Sequence, residues 1–302
     1  MSNRPTIVCP VDFSDFSRTA LHYAGVLADH FGARLLVLAV DDPMLVSAAQ
    51  AAGLFPLAQA TEEELRRFVT DTIEPASKPA MELDMQVTVG KPASEILRIA
   101  RDARADAIVL SSHGRSGVSK RFFGSTTERV LRETVTPVLV TPAAAVRVAS
   151  VSAMAGHVRN VLAPVDLTEA SVHQVKVAKG IAAGLGTALI LVHVVESIHV
   201  PPRVRMTIAG MDTVRRTDAE ASLVSLAESP KEHVPVETIV LHGDPSEEIV
   251  KLADTRGAGL IVMGLHSSGL LGPRMGSVTY RILCLTGAFV LALPPVSAAS
   301  GT

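Results

Sequence analysis

Residues 110–129 contain the residue types that bind phosphate. Ser111 and Gly114 stand at the start of this stretch, and Gly124 and Ser125 follow after a nine-residue interval. An apolar run leads into the stretch and a helical pattern leaves it, so we interpret it as a strand, a loop and the start of a helix. At the carboxyl end of a parallel strand, free backbone N–H groups and the dipole of the following helix favour an anion. The pattern therefore predicts one wall of a phosphate-binding site.

Strands and helices are predicted to alternate along the first half of the chain. Apolar runs predict strands at residues 6–11, 35–40, 83–89, 107–110 and 137–140. Helical spacing of apolar residues predicts helices at residues 19–31, 61–74, 94–104 and 125–133. This alternation favours an α/β fold with a parallel sheet and right-handed crossovers.

Local signals predict where two of these helices begin and where a long loop lies. We expect Ser14 or Asp15 to cap the first helix. Thr61, followed by three glutamates, has the spacing of a capping box and is expected to begin the second. Residues 41–58 are predicted to form a long irregular connection, a length that often belongs to a lid or a binding loop.

The second half of the chain repeats the first. Three blocks recur in the same order: residues 10–17 at 164–171, 90–96 at 243–249 and 124–125 at 276–277. We therefore expect a duplication of one α/β unit. The predicted domains are residues 1–145 and 156–296, joined by a linker at 146–155.

Composition and charge narrow the functional class. Hydrophobic residues make up 48% of the 302 residues and aromatic residues only 3%, which is typical of buried parallel strands covered by helices and argues against base-stacking surfaces. Lys and Arg number 28 against 30 Asp and Glu, without a basic block, so we expect no nucleic-acid partner. No apolar run is long enough to span a membrane, and the start makes a poor signal peptide. Cys9 and Cys284 are expected to be reduced, buried thiols in the cytoplasm.

With these motifs assembled, both halves resemble the universal stress protein family in its tandem, two-domain form. The nucleotide-binding pattern of that family is Gly, two residues, Gly, nine residues, Gly, then Ser or Thr. Gly114 and the pair Gly124-Ser125 fit this pattern, whereas Ser111 stands in place of the first glycine. The resemblance implies two tandem doubly wound domains of the adenine nucleotide alpha hydrolase-like type. Each would hold a five-stranded parallel sheet in the order 3-2-1-4-5.

The resemblance also implies which residues contact a nucleotide. An Asp at the end of the first strand lies near the adenosine in the family, which matches Asp12 and Asp166, although such a carboxylate could instead cap the following helix. Main chain near Val40 and Val194 would contact adenine. The candidate site of the first half is Pro10, Asp12, Val40, Ser111, Gly114, Arg115, Gly124, Ser125 and Thr126. The weaker candidate site of the second half is Asp166, Val194, Gly264, Gly276 and Ser277.

Individual side chains in these sites allow more than one interpretation. The hydroxyl of Ser111 could donate to a phosphate. Arg115 could approach the phosphates or belong to a solvated basic loop, and His113 is better interpreted as a loop anchor than as a base. The second half keeps Gly264 but lacks the inner glycine, its loop is one residue shorter and Pro273 removes an N–H donor. This half is therefore expected to serve mainly in dimer-like packing.

No catalytic motif emerges, so binding rather than turnover is the expected output. The leading hypothesis is a cytoplasmic stress-response protein that binds ATP, with or without magnesium, mainly in its first half and acts as a sensor or regulator. The alternative is a nucleotide-free tandem scaffold that acts through protein contacts, and at most slow ATP hydrolysis is expected. The predicted partners are adenine nucleotide and unidentified proteins. The two domains would pair within the chain through their last strands, with or without a further homodimer.

Overall fold

The computed structural model describes residues 4–53, 57–73, 81–114, 124–143, 148–196, 205–228, 234–265 and 275–295. The first half contains β1 (Thr6–Val11), α1 (Asp15–Phe31), β2 (Arg34–Asp41), α2 (Pro43–Ala51), α3 (Leu57–Thr70), β3 (Glu82–Val89), α4 (Pro92–Asp102), β4 (Ala107–Ser111), α5 (Ser125–Glu133) and β5 (Val138–Thr141). The second half contains α6 (Val151–His157), β6 (Asn160–Pro164), α7 (Glu169–Leu185), β7 (Ala188–Val195), α8 (Arg205–Ala227), β8 (Val236–His242), α9 (Pro245–Arg256), β9 (Ala258–Gly264), α10 (Ser277–Leu285) and β10 (Phe289–Leu293).

The strands of both halves form one ten-stranded sheet in the order β3-β2-β1-β4-β5-β10-β9-β6-β7-β8. Within each half the described pairs are parallel and follow the predicted order 3-2-1-4-5. The halves meet where β5 and β10 pair antiparallel, with Val140 opposite Val290. The predicted α/β fold with two parallel units is thus confirmed, and the last strands join the units within the chain.

The core lies on both faces of this sheet. All six residues of β1 are buried, which explains its continuous apolar run, because a central parallel strand is covered on both sides. Cys9 points into the layer that contains α1, whereas Val8 packs in the layer that contains α4. Burial raises the pKa of the Cys9 thiol. Cys284 is half-buried rather than fully buried, and both cysteines are free thiols.

Aromatic and polar contacts stabilise the association of the two halves beside the pair of β5 and β10. Tyr23 of α1 packs edge-on against Phe289 of β10, with ring centroids 4.7 Å apart. A ring nitrogen of the neighbouring His22 lies 2.7 Å from the carbonyl oxygen of Val148. Part of the predicted linker, residues 151–155, lies in α6, whose Met154 is buried in the same core. The domain boundaries at residues 145 and 156 remain a prediction.

The connection predicted at residues 41–58 is not irregular, because it contains α2 and the start of α3. Asp42 caps α2 by accepting from the N–H of Met44, and Pro43 occupies the first turn, where a missing N–H costs nothing. Proline breaks a helix in its interior but is tolerated at the first helical position, so Pro43 begins a helix within the stretch predicted to be irregular. Thr61 does not begin α3, since that helix starts one turn earlier at Leu57. None of the described helices is both long and apolar enough to cross a membrane.

The caps of α4 and α9 differ between the halves and allow a direct stability test. Asp244 caps α9 by accepting from the N–H of Glu247 at 3.1 Å, whereas Lys91 at the matching position of α4 makes no side-chain cap bond. We expect Asp244→Ala to lower the free energy of unfolding by about 1 kcal/mol and Lys91→Asp to raise it by a similar amount. Urea denaturation at pH 7 measures both changes, and a change of the same sign in the two variants would contradict the assignment.

The contribution of Asp244 should also depend on pH. Hydrogen bonds from Ser246 and from the N–H of Glu247, together with Arg281, lower the pKa of Asp244 to about 2. Because the folded pKa lies below the ordinary value, the stabilisation is present above about pH 4 and is lost as the pH falls toward 2. The stability difference between the wild type and Asp244→Ala should therefore shrink over that interval. A constant difference would contradict a role for the ionised carboxylate.

Candidate functional site

A cavity of about 410 Å³ lies at the carboxyl ends of β1, β2 and β4, in front of the first turn of α5. Every described residue of the predicted first site lines it: Pro10, Asp12, Val40, Ser111, Gly114, Gly124, Ser125 and Thr126. Arg115 lies outside the described residues. The structure therefore brings the predicted residues together around one space. Their roles toward a ligand stay a prediction.

The first turn of α5 forms the electropositive side of this cavity. Gly124 is the N-cap residue and makes no side-chain cap bond, so the first N–H groups of the helix keep their capacity to donate. Two bonds fix this helix start to the end of β4: the N–H of Gly124 donates to the carbonyl of Ser112 at 3.0 Å, and the hydroxyl of Thr127 donates to the carbonyl of Ser111 at 3.0 Å. The helix dipole adds partial positive charge at this end, so the arrangement suits an anion.

Asp12 approaches the backbone of Gly114 so closely that no other residue type fits there without a shift. A Cβ atom at Gly114 would lie 2.8 Å from Oδ2 of Asp12. The other carboxylate oxygen accepts from the N–H and the hydroxyl of Ser14, at 3.1 and 2.6 Å. Ser14 itself caps α1 by accepting from the N–H of Ser17. Asp12 thus supports the capping turn and also faces the cavity, so the two interpretations of this residue are compatible.

The hydroxyl of Ser111 is already engaged within the loop. It donates to the carbonyl of His113 at 2.6 Å, rather than being held ready for a phosphate as the sequence suggested. His113 is anchored in turn, because its Nδ1 lies 2.9 Å from the hydroxyl of Ser112 and its ring packs 5.5 Å from that of Phe16. These contacts are those of a loop anchor. The wall at the end of β4 is therefore held by side chains that bond back to the main chain.

The opposite side of the cavity is formed by the end of β2 and by α2. Val40 and Leu45 provide apolar surface there, beside the carboxylate of Asp41. Oδ1 of Asp41 accepts from the hydroxyl of Thr61 at 3.0 Å, whereas Oδ2 is buried without a hydrogen-bond partner among the described residues. Burial raises the pKa of this carboxyl, and the bond from Thr61 lowers it by less. Sequence reasoning missed Asp41, although a carboxylate ending an apolar strand was a usable signal.

The second half contains a smaller cavity of about 320 Å³ at the equivalent place. Four predicted residues line it: Asp166, Val194, Gly264 and Gly276. Ser277 begins α10 but is not part of this lining. Pro273 lies outside the described residues. The second half thus also has a cavity, so the weaker nucleotide binding predicted for it depends on the residues that line this cavity.

Gln174 distinguishes the second cavity from the first. Its buried side-chain amide donates to the carbonyls of Pro164 and Val262, at 2.6 and 2.9 Å, and so joins α7 to β6 and β9. The first half has the small Ala20 at the matching position. Gln174 lines the second cavity, whereas Ala20 does not line the first. Position 174 lies outside the three repeated blocks of the sequence.

Asp166 accepts hydrogen bonds from two side chains of its own turn. One of its carboxylate oxygens accepts from the N–H and hydroxyl of Thr168 and from the hydroxyl of Ser171, at 3.0, 2.7 and 2.8 Å.

Over the described part of the chain, no three His, Cys, Asp or Glu side chains lie close enough together to hold a metal ion.

Comparisons with known proteins agree with the repeat and with the fold. A model of the universal stress protein family matches residues 3–142 and 157–286. A universal stress protein of Methanocaldococcus jannaschii is 30% identical over 135 residues, which cover 44% of this chain and 79% of the relative. A second one from the same organism is 28% identical over 149 residues, covering 44% of this chain and 92% of the relative. Among solved structures, a universal stress protein from Archaeoglobus fulgidus matches 96% of both chains with a TM-score of 0.63 at 17% identity, a likeness of fold.

Gln174 should be needed for the stability of the second half. Gln174→Ala leaves two buried carbonyls without their side-chain donor, so we expect the free energy of unfolding to fall by about 1 to 3 kcal/mol. His173→Ala, at the neighbouring exposed position of α7, is the control and should change it little. Urea denaturation of both variants makes the comparison, and equal effects would refute a specific role of the amide.

Proposed function

The chain belongs to the universal stress protein family, and we propose that its first half binds an adenine nucleotide, ATP in particular, as the input of a cytoplasmic stress-response regulator. The observation that carries this proposal is the convergence of the first turn of α5, the carboxylate of Asp12 and the apolar end of β2 on one cavity. The volume of about 410 Å³ is within the usual range of small-molecule sites.

The three parts of the cavity suit the three parts of a nucleotide. The N–H groups of α5 attract the phosphates. Asp12 accepts hydrogen bonds from the ribose hydroxyls, since an ionised carboxylate is an acceptor only. Val40 and Leu45 contact the base. Strands β2 and β4 flank β1, so these ends of the cavity are separated by two strand spacings, about 10 Å, a span that a nucleoside phosphate covers.

Binding rather than turnover is the output of this proposal. Helix α2 borders the cavity through Leu45, but none of its residues is buried. It can therefore move without loss of core packing. A bound nucleotide contacts α2 and orders it, which changes the surface that α2 presents to protein partners. Magnesium, where present, accompanies the phosphates.

The second half is proposed to bind nucleotide more weakly than the first. Its cavity is smaller and is lined by the amide of Gln174, and the equivalent aspartate, Asp166, accepts three hydrogen bonds on one oxygen. One observation also supports a scaffold that needs no nucleotide: β5 and β10 pair through main-chain bonds and join the halves into a continuous sheet. In that second candidate function the paired halves present surfaces to protein partners.

A matched pair of substitutions tests the assignment to the first half. Asp12→Asn keeps an oxygen that can accept from Ser14 but removes the charge, so we expect ATP affinity to fall at least about tenfold, the loss of one charged hydrogen bond. Asp166→Asn makes the same change in the second half and should leave the ATP affinity of the first half unchanged. Isothermal titration calorimetry measures both.

Acid extraction of the purified protein provides the complementary observation. Release of adenine nucleotide, or a rise in melting temperature with ATP, is expected if the first half binds it. Absence of both, together with no heat in the titration, would reject nucleotide binding and favour the scaffold.

A further inference from the structure

The second cavity contains two polar side chains at positions where the first half has alanine. Gln174 and His193 both line it, whereas Ala20 and Ala39 at the matching positions are buried and do not line the first cavity. The nucleotide site proposed for the first half uses neither position. These two side chains therefore give the second cavity a chemistry that the first does not have.

The amide of Gln174 presents its oxygen to the cavity. A carbonyl oxygen only accepts, so the bonds to the carbonyls of Pro164 and Val262 come from Nε2 and use both of its hydrogens. No described residue donates to Oε1. In the described part of the chain, the enclosed side-chain oxygen without a partner is Oδ2 of Asp41, so Oε1 of Gln174 is open to solvent. Because this side chain is only 3% exposed and lines the cavity, the cavity is the space that Oε1 faces.

His193 provides a second acceptor at the same end of β6. Its Nδ1 lies 2.8 Å from the carbonyl oxygen of Val165, which only accepts, so Nδ1 carries the ring hydrogen. In the neutral ring Nε2 is then an acceptor, and no described residue donates to it. Gln174 and His193 are thus bonded to the carbonyls of consecutive residues, Pro164 and Val165, and each has an acceptor left for a ligand.

The charged groups of this cavity are negative. The carboxylates of Asp166 and Glu196 line it, and the described residues of its lining include neither Lys nor Arg. Much of the remaining surface is an apolar wall formed by Val192, Ile249 and Met263. Acceptors and negative charge beside an apolar wall suit a ligand that has N–H donors, a positive charge and a short apolar chain.

We propose that the second cavity binds a small organic amine, whose ammonium group donates to Oε1 of Gln174 and Nε2 of His193 and whose apolar part contacts the apolar wall. An ammonium group has three donors and no acceptor, as these partners require. It lies on the sheet side of the cavity, away from the first turn of α10, whose partial positive charge disfavours a cation. The second half would thus respond to a class of ligand different from the nucleotide proposed for the first.

3-Methylbutylamine is the probe, because it carries an ammonium group on a short branched apolar chain. 3-Methylbutan-1-ol has the same carbon chain and is the neutral match. The methyl signal of Met263, which lines the cavity, reports binding in NMR titrations of protein labelled at its methionine methyl groups. At pH 8 the wild type should bind the amine at least about tenfold more tightly than the alcohol, the difference that one charged hydrogen bond makes.

Variants separate the two acceptors from the rest of the cavity. His193→Ala, which copies Ala39 of the first half, should reduce the preference for the amine, and addition of Gln174→Ala should reduce it further. His173→Ala, at the exposed position beside Gln174 on α7, is the control and should keep the wild-type preference. A melting curve shows whether the double variant folds, and His193→Ala and the wild type decide the question if it does not.

Three results would overturn the inference. They are equal affinity of the wild type for amine and alcohol, a Met263 signal that the amine does not change, and an unchanged preference in His193→Ala. Tighter binding of 3-methylbutanoate than of the amine would also overturn it, because the first turn of α10 would then determine the ligand. None of these titrations contains nucleotide, so the function proposed for the first half is tested separately.

Discussion

The position of β1 between β2 and β4 is the constraint on which the site depends. Parallel pairing aligns Val11 with Ala39 and Val8 with Ile108, so the three strands end at the same edge of the sheet. All six residues of β1 are buried between two helix layers, so a register shift would exchange the side chains that pack against each layer. This packing, and not the loops, sets the distance between Asp12, the end of β2 and the start of α5.

The duplicated halves show how a shared frame can hold different sites. Their sheets have the same order, and β5 and β10 unite them through main-chain bonds that place no demand on the cavities. The cavities could therefore change independently. The first cavity is larger than the second, and the carboxylate of Asp41 lines it, whereas Val195 at the matching position does not line the second cavity.

Much of the frame followed from local sequence signals. The strand at residues 6–11 and the helix at 125–133 were predicted with the boundaries that the structure has, because each has a clear apolar period and a clear stop. The grouping of Gly114 and Gly124 around one cavity followed from their placement after β4. The start of α3 was predicted wrongly, because the capping-box spacing at Thr61 does not show that the helix begins one turn earlier at Leu57. The bond from the hydroxyl of Ser111 to the carbonyl of His113 is a contact within the loop that the residue types alone did not predict.

A crystal structure of the protein with ATP tests the central claim most directly. The account predicts triphosphate oxygens within hydrogen-bond distance of the N–H groups at the start of α5, ribose beside Asp12 and adenine at the end of β2. A nucleotide bound elsewhere, or a first cavity left without nucleotide at saturating ATP, would contradict it.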